Sequence, residues 1–450
     1  MNTPIYDFVN AYADRNGLRL HMPGHKGKNL LGMEALDITE IKGADSLFEA
    51  DGIIAESERN AAALFGTKAT LFSTEGSSHA IRAMIWLVKL YALARGEKPR
   101  IAACRNAHKT FVTATALLDV TVEYPDACTN GSYLSLSLST HQIEAYLREH
   151  KPTALYITSP DYSGNVADIS AIAALCHAHG VLLLVDNAHG AYLRFLTPSR
   201  HPMDLGADLC CDSAHKTLPA LTGGAYLHIA QKSPDFFVQN AKTALSLFGS
   251  TSPSYLVLQS LDLVNAYLAD SYREKLGAFT KKLDALKARL VQKGFTLWGS
   301  EPLKLTIFAR DFGYSGNEIA EHLRKWEIEC EFSDPDILVL MFTPELADTA
   351  LTQVENALTS LEKRERLPLF APPIALCAKA MPPHLAISLP SERISATNAL
   401  GRILACPTVG CPPAVPIVMC GERIDQNAIE VFGYYGIDTV MVVKEMEEIR

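Results

Sequence analysis

Two apolar runs in this chain stop on residues that can do covalent and acid–base chemistry. Cys210-Cys211-Asp212-Ser213-Ala214-His215-Lys216 passes from apolar residues into Ser-x-His-Lys and then turns through Pro219 toward Thr222-Gly223-Gly224. Thirty residues before Lys216, the run Val181-Leu182-Leu183-Leu184-Val185 ends in Asp186-Asn187-Ala188-His189-Gly190. A lysine at one strand end can form a Schiff base with an aldehyde. A buried carboxylate at another can keep a ring nitrogen protonated. Together they are what a pyridoxal phosphate site requires. Taken singly each residue has a plainer reading that prevails, Lys216 as a solvated loop lysine and Asp186 as a strand-end turn residue.

The elements that must position them follow a strand–loop–helix rhythm. Ala69 to Ser73 reads as a strand, Thr74-Glu75-Gly76-Ser77-Ser78 as the turn, and the next helix carries Ile81, Ile85, Val88 and Leu90 on its apolar side. Hydroxyl residues behind Gly76 at a helix start suit a phosphate, because backbone N–H groups and the dipole favour negative charge there. Ser77 or Ser78 as a simple N-cap is the commoner case. Further strands are expected at Ile101–Cys104, before Arg105-Asn106-Ala107-His108-Lys109, and at Val120–Tyr124. Ser139…Gln142 resembles a capping box. Strands at Ala154–Thr158 (leading into Ser159-Pro160-Asp161), Val181–Val185, Leu209–Ser213 and Ala225–Ile229, with a helix over Asp168–His179 stopped by Gly180, complete the set. This alternation implies an α/β fold with a mostly parallel central sheet covered on both faces. Ligands of such sheets bind beyond the carboxyl ends of the strands, where the chemistry-bearing segments fall.

The 450 residues imply two to four domains. We expect an N-terminal arm over 1–50, a large cofactor-binding domain over 51–260, a smaller α/β domain over 261–367 and a small C-terminal domain over 368–450. Phe8, Tyr12 and Leu18 are spaced for one short helix in the arm, and a long helical stretch from Leu256 to Lys293 has its expected break near Gly277. Hydrophobic content of 48% with 20% charged residues is that of a globular protein, and a net charge of −9 speaks against nucleic acid or anionic membrane as the main partner. Ten scattered cysteines without C-x-x-C spacing point to reduced thiols and a cytoplasmic setting, and no metal site is indicated. Neither a signal peptide nor an apolar run long enough for a membrane span is expected.

With His21-Met22-Pro23-Gly24-His25-Lys26-Gly27, Arg105-Asn106-Ala107-His108-Lys109, Ser213-Ala214-His215-Lys216 and Pro412-Pro413-Ala414-Val415-Pro416…Gly421-Glu422 in hand, the chain resembles the bacterial-type ornithine, lysine and arginine decarboxylases in their short form. These are pyridoxal phosphate enzymes of the aspartate-aminotransferase-like fold, and the resemblance covers nearly the whole length. It implies that Lys216 is the Schiff-base lysine and Asp186 the partner of the ring nitrogen. It further implies that His108 stacks on the ring, that Ser77, Ser78, Ser213 and His215 hold the phosphate, and that Gly76, Ala188 and Thr251 border the cofactor. Lys216 or His215 is the implied proton donor. The Ser250-Thr251-Ser252 turn is similar to a segment that reaches the neighbouring subunit, so a homodimer, or a larger assembly of dimers with shared active sites, is implied. The substrate would be a basic amino acid, with Glu75, Asp161 and Asp334 as candidate partners of its distal cation and solvated loop acids as the plainer alternative.

Four positions depart from the family's common pattern. Asn187 stands where Glu usually follows the aspartate, Asp161 where Thr is usual, Cys406 where Glu is common, and Cys411-Pro412-Pro413-Ala414 replaces Tyr-Pro-Pro-Gly. Fold does not determine reaction. Another pyridoxal phosphate reaction, such as transamination or elimination, and a non-catalytic homologue are therefore the alternatives. Retention of Lys216 and Asp186 argues against the second.

Overall fold

The structure is a computed structural model, and it describes every residue except 126–127, 130–133, 369–370, 408–414 and 446–450. Cys411 and the Pro412-Pro413-Ala414 motif therefore lie outside the described residues. Two compact units divide the chain. The first comprises Met1–Pro99, His150–Ser159 and Asp168–Gly277, and the second Arg100–Glu149, Pro160–Ala167 and Ala278–Arg450.

Seven strands of three to five residues lie between Ala69 and Ile229: β1 (Ala69–Ser73), β2 (Arg100–Ala103), β3 (Thr121–Glu123), β4 (Ala154–Thr158), β5 (Leu182–Asp186), β6 (Leu209–Asp212) and β7 (Ala225–Ile229). The first unit carries five of them in the order β1-β7-β6-β5-β4. β4 runs parallel to β5 with Thr158 opposite Asp186, and β5 runs parallel to β6 with Asp186 opposite Cys211. β7 is antiparallel to both its neighbours, so β1 points the same way as β4, β5 and β6. Ser73, Thr158, Asp186 and Asp212 thus finish at one edge. Every residue of β5, β6 and β7 is buried, as continuous Leu/Val/Cys runs require of a sheet covered on both faces.

Helices of the first unit obey the local signals closely. Three precede the second strand: α1 (Pro4–Asp14), α2 (Ile53–Phe65) and α3 (Gly76–Ala94). Gly66 ends α2 in the left-handed conformation at φ 66°, and Asp45 gathers the N–H groups of Gly52, Ile54 and Ala55 at its start. Two expectations need correction. α1 stops at Asp14 and leaves Leu18 85% exposed, because the chain turns away through Asn16 at φ 52°. The long helical stretch breaks at Asp270, whose ψ of −112° leaves the helix, and not at Gly277, which lies inside Tyr272–Lys293. A Cβ on Gly277 would meet nothing within 4 Å, so that glycine costs its helix only about 1 kcal/mol and does not break it.

In the second unit β2 and β3 form a parallel pair. An antiparallel sheet follows: β8 (Thr296–Trp298), β9 (Lys304–Phe308), β10 (Phe332–Ser333) and β11 (Ile337–Met341) in the order β8-β9-β11-β10. The capping box at Ser139 is present, with Gln142 N–H donating to Ser139 Oγ (3.2 Å) and Ser139 N–H to Gln142 Oε1 (2.9 Å). Toward the C-terminus, β12 (Ser391–Ser395) pairs antiparallel with β13 (Thr439–Val443) over a core that includes Val418, Val431, Phe432 and Val442. Arg105, just beyond β2, makes a bidentate ion pair with Glu422 at 2.6 and 2.8 Å, and both side chains are buried.

Candidate active site

The carboxyl edge of the first unit's sheet brings Asp186, Ser213, His215 and Lys216 onto adjacent strand ends, because β5 and β6 are neighbours in register. Lys216 lies in the one-turn helix Ala214–Thr217 directly after β6, and its Nζ is 3.1 Å from His189 Nε2. His189 is 94% buried and three residues beyond Asp186, so the β5 turn supplies both the carboxylate and the lysine's partner. The sequence reading did not select His189. Its signal was the Asp-x-x-His spacing within one strand-end turn.

Asp186 is 2% exposed. Its Oδ2 accepts from the Tyr156 hydroxyl at 3.0 Å, and its Oδ1 accepts from Ala188 N–H at 3.2 Å and from the Cys211 thiol at 3.6 Å. Each of those donors is neutral. A buried carboxylate costs several kcal/mol without a compensating cation, so this arrangement fits a positively charged group brought in from outside the chain. Burial and the Asp186 charge push the Tyr156 phenol far above its ordinary pKa, which keeps it a donor. No local motif announces Tyr156, which reaches Asp186 across the β4–β5 pairing.

At the start of α3 the Ser213 hydroxyl donates to Ser77 Oγ at 2.8 Å, joining the β6 end to the helix N-terminus. Neither Ser77 nor Ser78 is the N-cap. That position is Glu75, whose side chain makes no capping bond. The carboxylate of Glu75 instead accepts from Ser250 N–H at 2.6 Å, holding the turn that presents Thr251 in an exposed position. Gly76 sits at φ 73° and donates to Gly223 O at 2.7 Å. His215 Nδ1 lies 2.9 Å from Gly224 O, so Nδ1 carries the proton, and burial lowers the imidazole pKa. Two hydroxyls meet at the N-terminus of α3, an arrangement that suits a phosphate.

Three other predicted residues lie in the second unit. His108 follows β2 and caps the helix Lys109–Leu117, accepting from Thr110 N–H at 3.2 Å. Asp161 is buried and staples its own loop, accepting from Ser163 Oγ and Asn165 N–H at 2.9 Å each and from Asn165 Nδ2 at 3.0 Å. Asp334 accepts from Asp336 N–H and Ile337 N–H at 2.7 Å each, and burial pushes its carboxyl up to about 7.

Comparison with known proteins gives the family and the fold. The family profile described as Orn/Lys/Arg decarboxylase, major domain, matches residues 3–298. An arginine decarboxylase of Bacillus subtilis is 30% identical over 99% of this chain and 96% of its own length. YaaO of the same organism, a protein described as uncharacterized, is 30% identical over 96% of this chain and 93% of its own. The constitutive lysine decarboxylase of E. coli superposes with a TM-score of 0.78 at 18% identity, covering 98% of this chain and 82% of that one. Lysine decarboxylase A from Pseudomonas aeruginosa does so with a TM-score of 0.80 at 17% identity, covering 98% and 80%. The fold is that of the fold-type I pyridoxal phosphate enzymes, and by its sequence the chain belongs to the Orn/Lys/Arg decarboxylase family.

Proposed function

We propose that this protein decarboxylates a basic amino acid, arginine, lysine or ornithine, with pyridoxal phosphate held at Lys216. The observation that carries the reading is the buried Asp186, surrounded by neutral donors, one strand from the Lys216–His189 pair. When bound, the cofactor supplies a covalent carbonyl anchor and a cationic ring that accepts the electron pair left by departing carbon dioxide. Lys216 Nζ is the nucleophile toward that carbonyl, and His189 Nε2 orients it and can exchange a proton with it. Asp186 holds a positive charge at the ring nitrogen. Ser77, Ser78, Ser213 and His215 hold the phosphate, and Gly76, Ala188 and Thr251 border the cofactor. His108 stacks on the ring, and His215 or Lys216 returns the proton that replaces the carboxylate. Glu75, Asp161 and Asp334 are the candidate carboxylates for the substrate's distal cation.

The working unit is a homodimer, or a larger assembly of dimers, in the cytoplasm. Leu18, Leu20, Leu30 and Leu31 of the N-terminal arm are 76–85% exposed, an apolar surface that a second copy would cover, and light scattering should return twice 49.1 kDa or a multiple of that. Among the described residues no helix is long and apolar enough to cross a membrane. The deciding experiment incubates cofactor-loaded protein with arginine, lysine and ornithine separately and identifies products by mass spectrometry, with Lys216→Ala as control. Agmatine, cadaverine or putrescine from the wild type alone is expected. Three unchanged substrates beside a cofactor-bound protein would reject the reading.

A further inference from the structure

Behind the Lys216 turn lies a fully buried polar cluster that none of the steps above uses. Asp212, Asn187, His201 and His228 are each 0% exposed. Asn187 Nδ2 donates to Asp212 Oδ1 at 2.7 Å, while Asp212 Oδ2 meets His201 Nε2 at 2.9 Å and His228 Nε2 at 3.0 Å. His228 Nδ1 continues to Thr70 Oγ1 at 2.8 Å. The cluster is not arranged as a metal centre, although His201, Cys210 and Asp212 lie close enough together. His201 Nδ1 accepts the Met203 N–H at 3.3 Å, so its ring proton sits on Nε2 and points at Asp212, where a ligand would need a lone pair.

Position gives the cluster a different use. Asn187 directly follows Asp186, and Asp212 directly precedes Ser213 and stands four residues before Lys216. We propose that Asn187 is a positioning residue that, through Asp212, locks the strand end carrying Asp186 to the strand end carrying Ser213 and Lys216; the inference rests on the pyridoxal phosphate reading above. The contact is directional. Asn187 Oδ1 has no hydrogen-bond partner and lies where a Cβ on Gly190 would come within 1.9 Å, so the amide presents its N–H face to Asp212. Turned over, it would set two acceptors against each other. Asn187 N–H adds a backbone bond to Cys211 O at 3.0 Å, which brings the two strand ends together from the other side. The histidines and Asn187 spend both oxygens of Asp212, so the carboxylate cannot swing away and take the β6 turn with it. The titratable groups facing this pair from the surrounding strands are His201, His228, Cys210, Cys211, Asp186, Tyr156 and Tyr226.

The test uses Asn187→Asp, which keeps the shape but removes the donor, and the double variant Asn187→Asp/Asp212→Asn, which restores the pair in reverse. In the double variant the residue-212 amide donates to position 187 and its carbonyl still accepts from both histidines. Three quantities are measured: the dissociation constant for pyridoxal phosphate, the pH midpoint of the bound cofactor's visible absorption band, and the melting temperature of the cofactor-free protein. We expect Asn187→Asp to weaken cofactor binding on the order of tenfold at pH 8, as for loss of one hydrogen bond to a charged group, and to move the absorption midpoint. Binding should recover at lower pH as the new carboxyl takes up a proton and can donate again, and the double variant should recover at pH 8. Wild-type affinity and an unmoved midpoint in Asn187→Asp overturn the proposal. So does a double variant that melts like the wild type yet fails to recover. If Asn187→Asp does not fold, recovery in the double variant still decides, and two unfolded variants would assign the contact to folding alone. Absence of cofactor binding in the wild type would instead reject the functional reading, and this inference with it.

Discussion

Asp186 keeps its carboxylate in place with a phenol, a thiol and one backbone N–H, and the phenol is its strongest side-chain donor at 3.0 Å. A hydrogen bond to the charged form of an acid favours that form. Tyr156→Phe removes that donor without changing the packing volume much, so the Asp186 carboxylate is held less firmly where it would meet a cationic ring. We expect pyridoxal phosphate to bind roughly tenfold more weakly, in line with one charge-assisted bond, with the fold intact by circular dichroism. Unchanged affinity by equilibrium dialysis would show that Ala188 N–H and Cys211 suffice. Lys216 has a simpler dependence, since no other residue in its turn carries a primary amine.

Two turns meet at the element scale. The turn from β1 into α3, Thr74–Gly76, packs on Gly223, which follows the Lys216 helix, and Gly76, the first residue of α3, donates its N–H to Gly223 O at 2.7 Å. Gly223 has φ 98°, and a Cβ there would approach Thr74 O to 2.6 Å. Gly76 also has positive φ, but a Cβ on it would meet only His215 Cε1, at 4.0 Å. Gly223→Ala must therefore move backbone and disturb the Ser77–Ser213 contact, whereas Gly76→Ala carries conformational strain of about 1–2 kcal/mol. The expected order of melting temperatures is wild type, then Gly76→Ala, then Gly223→Ala. Only the last should also lose affinity for inorganic phosphate or the cofactor phosphate, read by isothermal titration. Equal behaviour of the two would show that the Thr74 carbonyl can yield.

At the scale of the whole molecule, two neighbouring carboxyls of the second unit carry a buried electrostatic cost. Asp334 and Asp336 are close together there, both with carboxyls raised chiefly by burial, and each has one oxygen without a hydrogen-bond partner. Asp334 moves from the ordinary carboxylate value to about 7. A folded-state pKa above the unfolded one means folding takes up a proton between the two values. Stability then falls as pH rises from about 4 to 7 and stays low above that. Asp334→Asn keeps an acceptor for the Asp336 and Ile337 N–H groups and removes the charge. The melting temperature should rise by ~2 °C or more at pH 8 and change little at pH 4.5; a uniform change at both would rule out titration of Asp334 as the cause. The Arg105–Glu422 pair shows the opposite solution, two buried charges that satisfy each other in bidentate geometry.

Local order in the chain was enough for the strands, for most helix boundaries and for the turn that carries Lys216. Strand propensity, glycine at positive φ and Ser…Gln capping act over a few residues, and β1, β4 and β7 start and stop at the residues that their apolar runs indicate. Asp186, Ser213, His215 and Lys216 were legible for the same reason, since in a parallel sheet chemistry collects where strands end. Tyr156, His189 and the Asn187–Asp212 contact were not. Each depends on which strand lies beside which and in what register, and pairing across 25 to 30 residues is decided by the packing of the whole sheet. The break at Asp270 belongs with them, because whether a glycine interrupts a helix depends on the space around it, and that around Gly277 is open.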